Sequence, residues 1–292
     1  MESTSTSGTQ TPISTASSAT QGTSTSSVSD SESTPVGRVK PLDFSALQQF
    51  FPDHSSSPLW YILTTAILLS FHKEKLTGDL WAYLFSRTSP LPARSQAPAR
   101  NEDDLLAIAR RIRESCLKAS TLVGFPRAIN ALFSLSTSIN TTAPTLSNIL
   151  ASDTSLRAPL DATTKYDRGL TFFKQIYTKH TSRVLSAMDS TSGGDLTHFA
   201  INCIYGELLS EHTIIGAQET GLLEFVCCLA DGCGPQAKGH FFGSLNLGAS
   251  SDTLRASVEL TEEVARQLQL TCPWKDPDVL EEFKFLDRVM RS

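Results

Sequence analysis

Apolar residues recur every three or four positions along most of this chain, the spacing of one helix face. The clearest run is Leu105, Ile108, Ala109, Ile112, Cys116 and Ala119. Glu102, Asp103 and Asp104 precede it, where the positive end of a helix dipole favours acids; Asn101 is placed to cap that end and Gly124 to stop the helix. Pro126 opens a second helix through Ala128, Ile129, Ala131, Leu132 and Leu135. Upstream, Asp43 to Phe51 is a short amphipathic piece, and Pro58 begins a helix expected to run to about Phe85. Downstream, Phe172, Phe173, Ile176, Tyr177 and His180 share a face, and Asp195 caps a helix to about Leu209.

The stretch from Ala217 to Leu229 is strongly apolar, which predicts a central helix. Asp231-Gly232 makes a turn, Pro235 opens the next helix, and Gly248 closes it in the left-handed conformation. Ser251 and Asp252 start a helix to Leu270, and a last one covers about 276–290. Alternating runs of strand length are scarce, so the expected fold class is all-α. It divides into two packed helical halves, about 58–136 and 165–270. A Ser/Thr/Pro-rich surface loop over 137–164 separates them.

Composition adds a boundary. Residues 1–35 hold 21 Ser or Thr and only three charges, too little apolar surface to offset the entropy of ordering. Residues 1–37 are therefore expected to be a disordered tail, and 38–292 the folded part. Without the tail the net charge moves from −5 to −2, with 27 acids against 25 bases. No basic block exists, so nucleic acid is not an expected partner. The longest apolar stretch, Leu59 to Phe71, is interrupted by Thr64, Thr65 and Ser70 and is too short to span a membrane. The chain shows no secretory signal, no Arg-rich transit peptide and no Ser-Lys-Leu ending, which makes the cytoplasm the default compartment with an organelle left open. Six cysteines form no C-x-x-C pair and fit no zinc spacing, so no metal and no cofactor is expected.

One segment carries candidate chemistry, Cys227-Cys228-Leu229-Ala230-Asp231-Gly232-Cys233-Gly234-Pro235-Gln236-Ala237-Lys238-Gly239-His240. Gln236 and His240 are four apart and stack on one helix face. Cys233 sits at the helix start, where partial positive charge stabilises a thiolate, so a lowered pKa is expected for it.

This segment resembles the AhpD/carboxymuconolactone decarboxylase family, whose redox branch has the pattern E-x11-C-x2-C-x3-H. Cys233 and His240 match; the second cysteine position is Gln236, as in the decarboxylase branch, and the glutamate position falls on Gly221. Glu224, one turn further on, is the candidate stand-in. A second stretch, from Leu122 to Leu132 through Gly124, Pro126, Ala128 and Asn130, resembles the G-x-P-x-A-x-N-A-L helix of the decarboxylase branch. The resemblance implies an AhpD-like helical fold and a homo-oligomer with its site near subunit contacts. It also implies acid/base chemistry, decarboxylation, on a small carboxylate or lactone substrate. His240 would transfer the proton, Cys233 and Gln236 would line the pocket, Arg127 would hold a carboxylate and Glu224 would face the substrate. Two other readings stay open: a single-cysteine thiol peroxidase acting through Cys233, and a non-catalytic oligomeric scaffold.

Overall fold

Two helices that are apolar on almost every side fix the architecture. The computed structural model describes residues 41–52, 58–88, 102–153 and 159–291, and among these residues no strand occurs. The tail expected over 1–37 and the Asn101 cap lie outside the described residues. The helices are α1 (Phe44–Gln48), α2 (Leu59–Ser70), α3 (Thr77–Thr88), α4 (Glu102–Val123), α5 (Phe125–Thr142), α6 (Pro144–Ser152) and α7 (Ala162–Tyr177). They continue as α8 (Thr181–Ser192), α9 (Asp195–Phe199), a π-helix (Ala200–Leu209), α10 (Ala217–Ala230), α11 (Gly234–Asn246), α12 (Ser251–Gln267) and α13 (Asp287–Met290).

Every residue of α2 is buried, and so is all of α10 from Thr220 to Ala230. A helix of that kind can only sit at the centre. The two pack against each other, with α4 and α12 against both and α11 against α10. The hydroxyls of Thr64, Thr65 and Ser70 on α2 donate to the carbonyls of Trp60, Tyr61 and Ala66, one turn back, and so need no outside partner. A second, smaller core of Phe172, Phe173, Ile176, Ala200, Ile201, Tyr205 and Leu209 forms between α7 and the π-helix. Their backbones come close enough that a Cβ on Gly169 would lie 2.0 Å from the Ile201 carbonyl oxygen.

Four boundaries differ from the sequence expectation, each for a local reason. The helix expected from Pro58 to Phe85 breaks at His72, which has a φ of 58°. The Lys73 amide then reaches back to the Leu68 carbonyl, a left-handed helix end made without glycine. The loop expected over 137–164 is helical as far as Ser152, in α5 and α6. There the hydroxyls of Thr141 and Thr142 fold onto the carbonyls of Thr137 and Ser138, while Ile139 and Leu146 are buried. The helix expected to about Leu209 winds as a π-helix from Ala200. The last helix is a 3-10 segment, Leu280–Leu286, followed by the single turn of α13. Three residues per turn put Phe283 and Leu286 on one buried face, and α13 then buries Val289. Among the described residues no helix is long and apolar enough to cross a membrane.

A single cation ties the two cores together. Lys118 on α4 is fully buried, 0% exposed. Its ammonium donates to the carbonyls of Leu209 at 3.2 Å, Glu211 at 2.7 Å and Ile215 at 3.4 Å, and to the Thr220 hydroxyl at 2.7 Å. The Leu209 oxygen ends the π-helix, where the dipole is negative, and those of Glu211 and Ile215 belong to the loop that follows. Thr220 begins the buried part of α10. Glu114, also buried, stands 4.0 Å from the ammonium on the same helix. Removing one partner of such a buried group costs about 3–5 kcal/mol, because the acceptors lose the charge they surround. Lys118→Met is therefore expected to lower the unfolding free energy by about that amount in urea titration. A loss under about 1 kcal/mol would contradict this role for Lys118.

Candidate functional site

Helices α10 and α11 form an antiparallel hairpin around Asp231-Gly232, with Gly232 at a φ of 78°. The hairpin is tight because Gly221 faces α11: a Cβ there would lie 2.7 Å from Leu247 Cδ1 and 3.6 Å from Ser244 Cα. That approach brings Glu224 of α10 against His240 of α11. Glu224 Oε2 stands 3.6 Å from His240 Nδ1, with the two side chains 1% and 6% exposed. This separation is beyond hydrogen-bond range. Both carboxyl oxygens and His240 Nδ1 are buried and meet no partner in good hydrogen-bond geometry among the described residues, with the Tyr205 hydroxyl the polar group that faces the carboxyl.

Two tyrosines from the smaller core complete the surroundings. Tyr177, the last residue of α7, lies with its ring centroid 6.2 Å from that of His240. Tyr205 of the π-helix is buried, and Phe173 packs between it and Tyr177 at centroid distances of 5.0 and 4.4 Å. The two hydroxyls act on one another, and that of Tyr205 also faces the Glu224 carboxyl.

Burial sets the protonation of the pair. Desolvation raises the Glu224 pKa from 4.5 to about 8, against the opposing field of Lys118 and the Tyr205 hydroxyl. Desolvation lowers that of His240 from 6.5 to about 4. At neutral pH the site is thus a protonated carboxyl beside a neutral imidazole. Burial likewise holds both tyrosines protonated and pushes the Cys228 thiol up.

The other residues singled out from the sequence are elsewhere. Cys233 is the exposed N-cap of α11. Its pKa is raised, not lowered, by partial burial and by Asp231, whose carboxylate accepts the thiol hydrogen at 3.3 Å. A full negative charge two residues away outweighs the partial positive charge of the helix end. Gln236 is exposed, one turn outward from His240. Arg127 is on α5, where it donates to the Val123 carbonyl and stands 3.5 Å from His72 Nδ1. Its helix packs on α3, α4 and α6, whereas His240 belongs to the α7, α10 and α11 group, so Arg127 does not join the pair. Sequence reasoning missed Lys118 and Tyr205. Lys118 has Glu114 four positions earlier, which reads as a solvated ion pair, and a lone tyrosine in an apolar run carries no signal.

The pair makes a pH prediction. Between pH 4.5 and 6.5 its two contributions have opposite slopes and cancel. From pH 6.5 to 8 the folded chain keeps the Glu224 proton that the unfolded chain has released, so stability falls as pH rises. The expected loss is on the order of 1–2 kcal/mol, read as the difference between the wild type and Glu224→Gln, which lacks the titrating group. Equal pH slopes in urea titrations of the two proteins over that window would contradict it.

No family model matches the chain, and no solved structure matches it. Two curated proteins do. Peroxisomal protein 2 of Schizosaccharomyces pombe is 32% identical over 161 residues, 55% of this chain and 71% of that protein. Peroxisomal protein 2 of Saccharomyces cerevisiae is 29% identical over 254 residues, 72% of this chain and 88% of that protein. These findings overturn the AhpD/carboxymuconolactone decarboxylase resemblance. With it go the lyase, the peroxidase and oxidoreductase, and the family-scaffold readings. The motif had matched at only two positions, Cys233 and His240, of a pattern whose glutamate and second cysteine are Gly221 and Gln236 here. Apolar helix pairs with a polar turn supply such partial matches readily.

Proposed function

The chain belongs to the family of Peroxisomal protein 2, and from that premise we propose that it is itself a peroxisomal protein whose Glu224–His240 pair holds a small polar molecule. The name of both relatives supports the compartment and displaces the cytoplasmic default. The observation that carries the site is the set of three buried polar atoms, Glu224 Oε1, Glu224 Oε2 and His240 Nδ1, that no described residue meets in good hydrogen-bond geometry, the Tyr205 hydroxyl only facing the carboxyl. Native interiors seldom leave such groups unpaired, because each costs about 1–3 kcal/mol. A protonated carboxyl donates and a neutral imidazole nitrogen accepts or donates according to its tautomer. A bound molecule offering one donor and one acceptor, such as a hydroxyl, amide or carboxylic acid group, satisfies both. Half-buried Tyr177 borders His240 and is the approach this reading assigns. The protein acts in this reading as an assembly of identical chains.

Two measurements test it. Detected by antibody without a tag in fission yeast, the full chain is expected to coincide with a peroxisomal marker; a diffuse cytosolic signal would refute the compartment. In a thermal-shift series with acetate, acetamide and glycerol, at least one probe is expected to stabilise the wild type and not His240→Phe. No shift with any probe, or the same shift in both proteins, would refute the site.

A further inference from the structure

Residues 125–152, which make up α5 and α6, contain one charged side chain, Arg127, in a chain that is 19% charged. Arg127 is folded back onto the Val123 carbonyl and toward His72. The outer face of α5 instead presents Phe125 at 65% exposure, Ile129 at 48% and Phe133 at 70%, spaced four apart and so aligned along one side of the helix. Ile149 of α6 adds a further exposed apolar side chain. Two phenylalanines displayed to this degree on one stripe are the mark of an unfilled interface, since scattered single exposures need no explanation but contiguous ones do.

Beside the stripe lies a recess. A cleft of about 220 Å³ opens between α5 and α6, lined by Leu132, Leu135, Ser136, Ile139, Ser147 and Leu150 among others. Ser136 follows Phe133 by three positions, so knob and recess are neighbours on the same surface. Arg113 also borders the cleft, but its guanidinium is engaged by the Leu150 carbonyl at 3.1 Å and by Asp153 at 2.8 Å.

We infer that this α5–α6 face is where two copies of the chain meet about a two-fold axis, Phe133 of each entering the cleft of the other. The inference stands apart from the Glu224–His240 pair and names a surface for the assembly that the functional reading assumes. A two-fold contact sets the same patch against itself. A charged patch would repel its own copy, whereas the exposed groups of α5 here are apolar or are the amides and hydroxyls of Ser136, Thr137 and Asn140, and the charges at its border, Arg113, Arg127 and Glu74, are each held by a neighbour within the chain. A face that carries both knob and recess and lacks repelling charge complements itself. A membrane surface is disfavoured, because interfacial helices hold anionic lipid through a fringe of Lys and Arg that α5 and α6 lack.

The test is the mass of the full chain in solution by light scattering and sedimentation, to about 100 μM. The wild type is expected at twice 31.7 kDa. Phe133→Ser removes the knob and Ser147→Trp fills the recess; each alone is expected to weaken association at least about ten-fold with the helical spectrum unchanged. Mixed, the two variants regain association, because one keeps the recess and the other keeps the knob. Phe133 is exposed, so its variant decides the matter even where Ser147→Trp disturbs α6. A monomeric wild type, a Phe133→Ser variant that associates as the wild type does, two folded variants whose mixture stays monomeric, or a monomer that floats with anionic vesicles would each overturn the proposal.

Discussion

The ammonium of Lys118 is the contact on which the rest of the molecule depends. It gathers the last carbonyl of the π-helix, two carbonyls of the loop before α10 and the first buried hydroxyl of α10. Those three elements would otherwise end in buried acceptors with nothing to accept. By holding the π-helix to α10, it places Tyr205 beside Glu224, and its charge is felt at that carboxyl. Desolvation nevertheless prevails and keeps Glu224 protonated at neutral pH. The structure thus spends a buried cation on architecture and leaves the nearby acid uncharged.

The acid and the imidazole are brought together by absence as much as by presence. Gly221 has no side chain to hold α10 and α11 apart, and the same two helices deliver Glu224 and His240 from their inner faces. Neither group is charged near pH 7, which makes their burial tolerable; what burial leaves unanswered is hydrogen bonding. Single atoms of Glu74, Thr77, His212 and Trp274 are also buried without a partner among the described residues, but at Glu224 and His240 three such atoms meet on facing helices.

Much of the helical order is legible in the sequence, because the three-and-four spacing of α4 and the all-round apolarity of α10 leave few other solutions. What escapes is where hydroxyls and unusual backbone replace the usual punctuation. His72 ends α2 as glycine commonly would, and Thr141 and Thr142 sustain α5 where Ser/Thr content suggests a loop. For the site, His240 and Glu224 are both nameable from the sequence and lie side by side in the fold, but the shared face of Gln236 and His240 does not tell that the first is exposed and the second buried. The fate of Cys233 is not, since the sign of its shift depends on where the Asp231 carboxylate points. Arg127 shows the same limit: its motif resemblance says nothing about which helices α5 packs against. The partial motif match led to the wrong family for a related reason. Residue spacing on a helix pair fixes geometry, and geometry alone is shared by unrelated proteins.

The central claim is that Glu224 is a neutral acid inside the folded protein at physiological pH. Infrared difference spectroscopy between the wild type and Glu224→Gln at pH 7 reads this directly through the carboxyl stretch. The account predicts a protonated C=O band present in the wild type and missing from the variant. A difference spectrum containing only the bands of an ionised carboxylate would contradict it.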